Sequence, residues 1–194
     1  MKRSFVKEYF DGKSLAQLKT TITPHWENET LEKHLKLVDV PVGTNSVLEI
    51  GSGLSRLLNE IHKSVEYCVG VEASQRMVDE AKLISHPDIE IIKVSGNGNI
   101  PIPLKDYFDF IFSIITFQHI PDTDVVKKYI SEAFRLLHKD GLFRFQCLSS
   151  DINPGKELWT YHNIEDLIEY MKSFGFNSIK RENKGRWEII SGTK

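Results

Sequence analysis

Cysteine is scarce in this chain: 194 residues include only two, Cys68 and Cys147. A disulfide-stapled scaffold and a Cys-x-x-Cys zinc site are therefore both excluded. Each cysteine falls in an apolar stretch that reads as a strand, where a thiol behaves as a small hydrophobe, and a reducing cytoplasm is the expected compartment. Long apolar runs are missing too. Nothing approaches the roughly 20 residues of a membrane-spanning helix, and Met1-Lys2-Arg3-Ser4-Phe5 leads into no apolar stretch, so neither a membrane partner nor a signal peptide is expected. Excess charge of one sign is also lacking. With 25 Lys and Arg against 27 Asp and Glu, the chain has no global field to gather nucleic acid. Its seven histidines include no two at helical ligand spacing, so no metal is expected.

What is present is an alternation of short apolar runs with amphipathic ones. Strands are expected near 46–50, 67–71, 89–94, 108–113 and 141–148, and helices near 27–38, 54–63, 74–84, 123–138 and 163–174. Gly141 reads as the stop of the 123–138 helix, and Asp122 as its cap. That order predicts an α/β fold, a doubly wound and mainly parallel sheet with helices on both faces. Residues 178–182 and 186–190, joined by Asn183-Lys184-Gly185, read as a closing antiparallel hairpin, for about seven strands in all. Its basic residues Lys180, Arg181, Lys184 and Arg186 read as a solvated edge. Residues 41–194 are expected to form one core, with no appended domain or repeat. Residues 1–40 are polar with scattered aromatics.

The most informative run is Val47-Leu48-Glu49-Ile50-Gly51-Ser52-Gly53. A strand, a two-glycine turn and a helix start make a ligand cradle at the carboxyl end of a parallel strand. Glu49 is the odd member, because a carboxylate in a strand covered on both faces is costly without a partner. A cationic ligand group or the side chain of Arg56 would serve. The next strand ends at Glu72, 21 positions after Gly51, where a carboxylate can accept both hydroxyls of a ribose. NAD is disfavoured, since Arg56 stands where the dinucleotide fingerprint needs a third glycine.

These segments resemble the class I S-adenosylmethionine-dependent methyltransferases. Val69-Gly70-Val71-Glu72 is similar to their second-strand motif, and the resemblance continues through Gly96-Asn97-Gly98, Phe108 to Ser113, Gln118 to Asp122 and Phe134 to Leu142. The resemblance implies S-adenosyl-L-methionine as cofactor, with Glu49 on the methionine ammonium, Gly51 and Gly53 around the amino-acid moiety, Glu72 on the ribose and Asn97 on the adenine amine. It also implies that Ser52, Ala73, Met77, Gly96, Gly98 and Ser113 line the cofactor. Ser55 replaces a glycine common in the family, and Asn97 replaces an aspartate.

His119, after the fourth strand, is the first choice of general base, since imidazole is poised near neutral pH; His162 is the second. A structural role before Pro121 competes for His119. The place after the fourth strand reads Ser113-Ile114-Ile115-Thr116, without the prolines found in DNA-base methyltransferases. A small-molecule acceptor is therefore expected, attacked through oxygen, nitrogen or carbon. A protein or carrier-bound acceptor, or a binding protein without catalysis, are the alternatives. Residues 1–40 are expected to form a helical cover or lid, with Tyr9, Phe10 and Trp26 walling the acceptor pocket.

Overall fold

A computed structural model gives the architecture, and it describes residues 5–14, 16–18, 28–149 and 159–194. Helices α1 (Phe5–Asp11) and α2 (Asn28–Val38) precede β1 (Ser46–Ile50), α3 (Arg56–Ile61), β2 (Tyr67–Glu72), α4 (Gln75–Ile84), β3 (Ile89–Lys93) and β4 (Phe108–Ser113). A 3-10 turn, Phe117–His119, leads to α5 (Thr123–Leu136), β5 (Leu137–Leu148), α6 (Ile164–Phe174), β6 (Asn177–Lys184) and β7 (Trp187–Thr193). One seven-stranded sheet runs in the order β3-β2-β1-β4-β5-β7-β6. Its first five strands are parallel and β7 pairs antiparallel with both β5 and β6. The expected α/β doubly wound sheet with a C-terminal hairpin is what forms.

Hydrophobic burial on both faces sets this topology. On one face Val126, Tyr129, Ile130 and Ala133 of α5 pack with Leu167 and Met171 of α6 over Leu48, Ile50 and Phe143. On the other, Leu57, Leu58 and Ile61 of α3 and Val78 and Ala81 of α4 cover Val47, Phe110 and Phe112. Cys68 and Cys147 are buried free thiols. Because the strand order reverses direction at β1, the crevice between the carboxyl ends of β1 and β4 is the switch point where ligands of such sheets collect.

The junction of α5 and β5 differs from the sequence reading. Helix α5 ends at Leu136, not 138, because Leu137 turns extended to pair with Phe108 and opens β5. Gly141 is thus a strand residue, where a Cβ would meet the Phe108 carbonyl at 3.0 Å, and not a helix stop. Asp122 does cap α5, accepting from the Asp124 N–H at 2.9 Å. Helix α1 falls in the N-terminal region expected to be helical, where the sequence sets no bounds for it.

Asp109 sits where the β4–β5 register shifts. Its carboxylate accepts from the N–H groups of Asn45 and Ser46, each at 2.8 Å, and from the His138 ring. Burial pushes its pKa up, but these donors outweigh burial and hold it below the ordinary value. Stability from a depressed carboxylate is present above about pH 3.9, its unfolded value, and is lost as pH falls through the folded one. Asp109→Ala is therefore expected to cost about 1–3 kcal/mol at pH 7 by urea unfolding. That gap from the parent should narrow below about pH 4. A gap that does not vary with pH would refute the linkage.

Candidate functional site

The turn after β1 is drawn against β2. The N–H groups of Gly51 and Ser52 both donate to the Val71 carbonyl, at 2.8 and 3.2 Å. Gly51 adopts φ +79°, and a Cβ there would stand 2.2 Å from Thr116 Oγ1. Only glycine combines that backbone with that approach. Gly53, at φ +54°, faces open space. Ser55, in the place of the family's third glycine, also takes the left-handed conformation (φ 59°) and caps α3 with no side-chain bond. A serine bears strain there that a glycine would not.

Around this turn lies a cavity of about 270 Å³. It collects titratable groups from several elements, Glu49, Arg56, Glu72 and Tyr129 among them. Glu49 of β1 is 3% exposed, and its Oε2 has no hydrogen-bond partner among the described residues. Burial raises its pKa well above the ordinary carboxylate value, Arg56 opposes the rise and Glu72 adds to it. Arg56 is also tied to the His34 ring. Glu72 at the end of β2 accepts from the N–H of Gly53 at 2.9 Å and of Ser74 at 2.8 Å, and burial raises its pKa against those donors. Tyr129 of α5, pushed up to about 12 by burial and by the Glu72 charge, completes the group.

Of the residues singled out in the sequence, Glu49, Gly51, Ser52, Gly53, Glu72, Ala73, Met77, Gly96 and His119 all line this one cavity. Four others do not. Asn97 turns its carbonyl oxygen to Ser95 Oγ at 2.6 Å and to the Asn99 N–H at 3.1 Å, closing its own turn. Gly98 packs against Lys128 of α5. Ser113 donates to the Ile50 carbonyl at 2.9 Å and so locks β4 to β1 beneath the cavity. His162 is 1% exposed. Its Nε2 donates to the Phe117 carbonyl at 3.0 Å and its Nδ1 lies 3.1 Å from Thr123 Oγ1. Burial holds its pKa down despite that carbonyl. His162 therefore lies outside the cavity lining, with both ring nitrogens engaged by Phe117 and Thr123.

Phe10, expected as an aromatic wall, is also in the lining, and the structure adds residues that the sequence did not signal, among them Ile115 and Tyr129. Tyr129 sits within the apolar stripe of α5 and was legible only as core. Ile115 takes φ +60°, rare for a β-branched residue, and its N–H is held by Gln146 Oε1 at 2.9 Å. Strain of this kind gathers beside ligand sites. Among the described residues one group of possible metal ligands forms, His62, His86 and Asp88, and none of the three lines the cavity.

A doubly wound sheet with a glycine turn, a buried carboxylate in β1 and a second at the end of β2 defines a nucleoside-cofactor site at a strand switch. The family model described as "Methyltransferase domain" matches residues 48–145. The chain belongs to this family, the class I S-adenosylmethionine-dependent methyltransferases, and S-adenosylmethionine is its cofactor. A curated relative, the ubiquinone biosynthesis O-methyltransferase of Pelagibacter ubique, is 24% identical over 177 residues, covering 86% of this chain and 72% of that protein. Two solved structures share the fold. Phosphoethanolamine N-methyltransferase 2 of Haemonchus contortus with S-adenosyl-L-methionine superimposes at TM-score 0.77 and 15% identity, over 97% of this chain and 59% of that one. A TehB-like S-adenosylmethionine-dependent methyltransferase of Corynebacterium glutamicum superimposes at TM-score 0.71 and 16% identity, over 99% and 100%. No helix among the described residues is long and apolar enough to cross a membrane.

Proposed function

We propose that the chain methylates a small molecule in a chamber covered by its N-terminal 40 residues, working in the cytoplasm, where its two buried thiols stay reduced. The observation that carries this reading is Phe10. It comes from α1, yet it lines the same cavity as Glu49 and His119 and packs on Leu18, Leu54 and Met77. Asp11 anchors α1 by accepting from Ser74 Oγ at 2.6 Å and from the Arg76 N–H at 3.3 Å. Tyr9, at 39% exposure, points less inward than expected, and Trp26 lies outside the described residues.

The donor set suits the cofactor. Glu49, with its unpartnered Oε2, would take the methionine ammonium, and Gly51, Ser52 and Gly53 would let the backbone approach the amino-acid end. Glu72 would accept the ribose hydroxyls, with Ala73 and Met77 beside it, and Gly96 would border the base. The bound cofactor supplies an activated methyl group on a sulfonium. The chain itself then has to hold the acceptor, exclude water and, where the nucleophile is protonated, accept a proton at His119.

Hydrogen exchange with and without S-adenosylhomocysteine tests the cover. Residues 5–14 should gain protection on binding. Deleting residues 1–12 should cut turnover about tenfold or more while cofactor affinity changes little. Unchanged exchange together with a variant that merely melts earlier would leave α1 as an external brace. An open groove beside the methyl group in a cofactor complex would favour a protein or carrier-bound acceptor instead.

A further inference from the structure

At the end of the sheet opposite the cavity, the segments entering β2 and β3 bring two imidazoles and a carboxylate together. His62 caps the carboxyl end of α3, while His86 and Asp88 lie between α4 and β3. The His62 and His86 rings stand 4.4 Å apart at a tilt of 41°, and His86 Nδ1 is 3.7 Å from Asp88 Oδ2. One candidate ligand atom from each of the three lies within 4.8 Å of the others. An independent sign points the same way: Nδ1 of His62 is buried and makes no hydrogen bond among the described residues. Imidazole nitrogens are rarely left so without a partner.

We propose that His62, His86 and Asp88 form a binding site for a divalent transition metal of the Zn²⁺, Ni²⁺ or Cu²⁺ class. Two imidazoles and one carboxylate select such borderline ions over Mg²⁺ and Ca²⁺, which prefer all-oxygen shells. Ligand bonds of about 2.0–2.2 Å need the three atoms somewhat closer than they stand. His86 and Asp88 can supply that movement, with side chains 51% and 73% exposed. The peptide that carries them is already fixed, because the His86 N–H donates to Asn59 Oδ1 at 2.9 Å and Asn59 Nδ2 donates in turn to the Ser55 carbonyl at 3.0 Å. The ion would clamp the end of α3 to the α4–β3 connection, with a solvent-facing fourth position taken by water. Asn59 is a positioning residue for the site.

The test uses the full chain without a histidine tag. Zn²⁺ is titrated calorimetrically, and Co²⁺ serves as an absorption probe of low coordination number. One ion should bind per chain, and excess Mg²⁺ should not displace it. His62→Ala and His86→Ala should each weaken Zn²⁺ about tenfold or more, as loss of a ligand does, while Asn59→Ala should weaken it less. His138→Ala, which alters the other His–Asp pair, should leave affinity unchanged. Circular dichroism confirms that each variant is folded, and His86, being exposed, remains a fair probe should His62→Ala unfold. The proposal is overturned by absence of saturable binding up to about 1 mM. Affinity unaltered in His86→Ala, or lost in His138→Ala, overturns it equally.

Discussion

Replacing Glu72 with alanine is expected to weaken S-adenosylmethionine binding roughly 30- to 1000-fold, the equivalent of about 2–4 kcal/mol. A carboxylate at the end of the second strand can hold both ribose hydroxyls, and the low-dielectric cavity strengthens such charge-assisted bonds. Glu72 has a second duty that its place at a strand end concealed. Its oxygens accept the N–H groups of Gly53 and Ser74, so one side chain pins the glycine turn and the start of α4. Alanine leaves those donors without their partner, and a further loss of about 1–2 kcal/mol in folding stability is expected. Calorimetry measures the first effect and urea unfolding of the ligand-free protein the second. Glu72→Gln, which keeps one carbonyl acceptor but no charge, should fall between. A Glu72→Ala variant that binds within twofold of the parent would remove the ribose role altogether.

How far the sequence carried can be judged residue by residue. Strand and helix positions were legible because both faces of the sheet are buried, and the apolar periods of α3 to α6 and of the strands report that directly. Glu49 and Glu72 were legible because charge at a strand position is costly and hence conspicuous. What the sequence could not show depends on long-range geometry. Where helix α1 docks is set by Phe10 packing on Leu18, Leu54 and Met77 and by Asp11 reaching Ser74 across 63 positions. Asn97 keeps the oxygen an adenine amine would want, yet the turn it sits in claims that oxygen first. His162 carries the right chemistry for a base, but packing satisfies both its nitrogens. His62 and His86 are too far apart in sequence to show helical ligand spacing and meet only because α3 and α4 end side by side. Spacing along one element cannot reveal ligands delivered by two.

The second large effect is expected at Glu49, where binding and stability should move in opposite directions. Glu49→Gln should weaken S-adenosylmethionine about 100-fold, since a buried cation would then face a neutral amide. The same change should raise the melting temperature of the ligand-free protein by about 2–4 °C, which at this chain length corresponds to ~1 kcal/mol. The reason is the raised pKa. A carboxyl whose folded value lies above its unfolded one, about 4.3 for glutamate, contributes most below that unfolded value. Its contribution is lost as pH rises through the folded value. Burial raises Glu49 further than Arg56 lowers it, so the parent should lose stability as pH climbs out of the acid range, and Glu49→Gln should flatten that slope. Cofactor binding should follow the opposite course. An ammonium beside Glu49 favours its ionised form, so affinity should rise with pH by up to about tenfold per unit until Glu49 is ionised in the free protein. Titrations in two buffers of different ionisation enthalpy would register the released proton. Were Glu49 a merely structural partner of Arg56, which burial already lowers against the pull of Glu49, the substitution would destabilise the fold and leave the cofactor's affinity independent of pH. Melting curves and affinities of the one variant across pH decide between these outcomes.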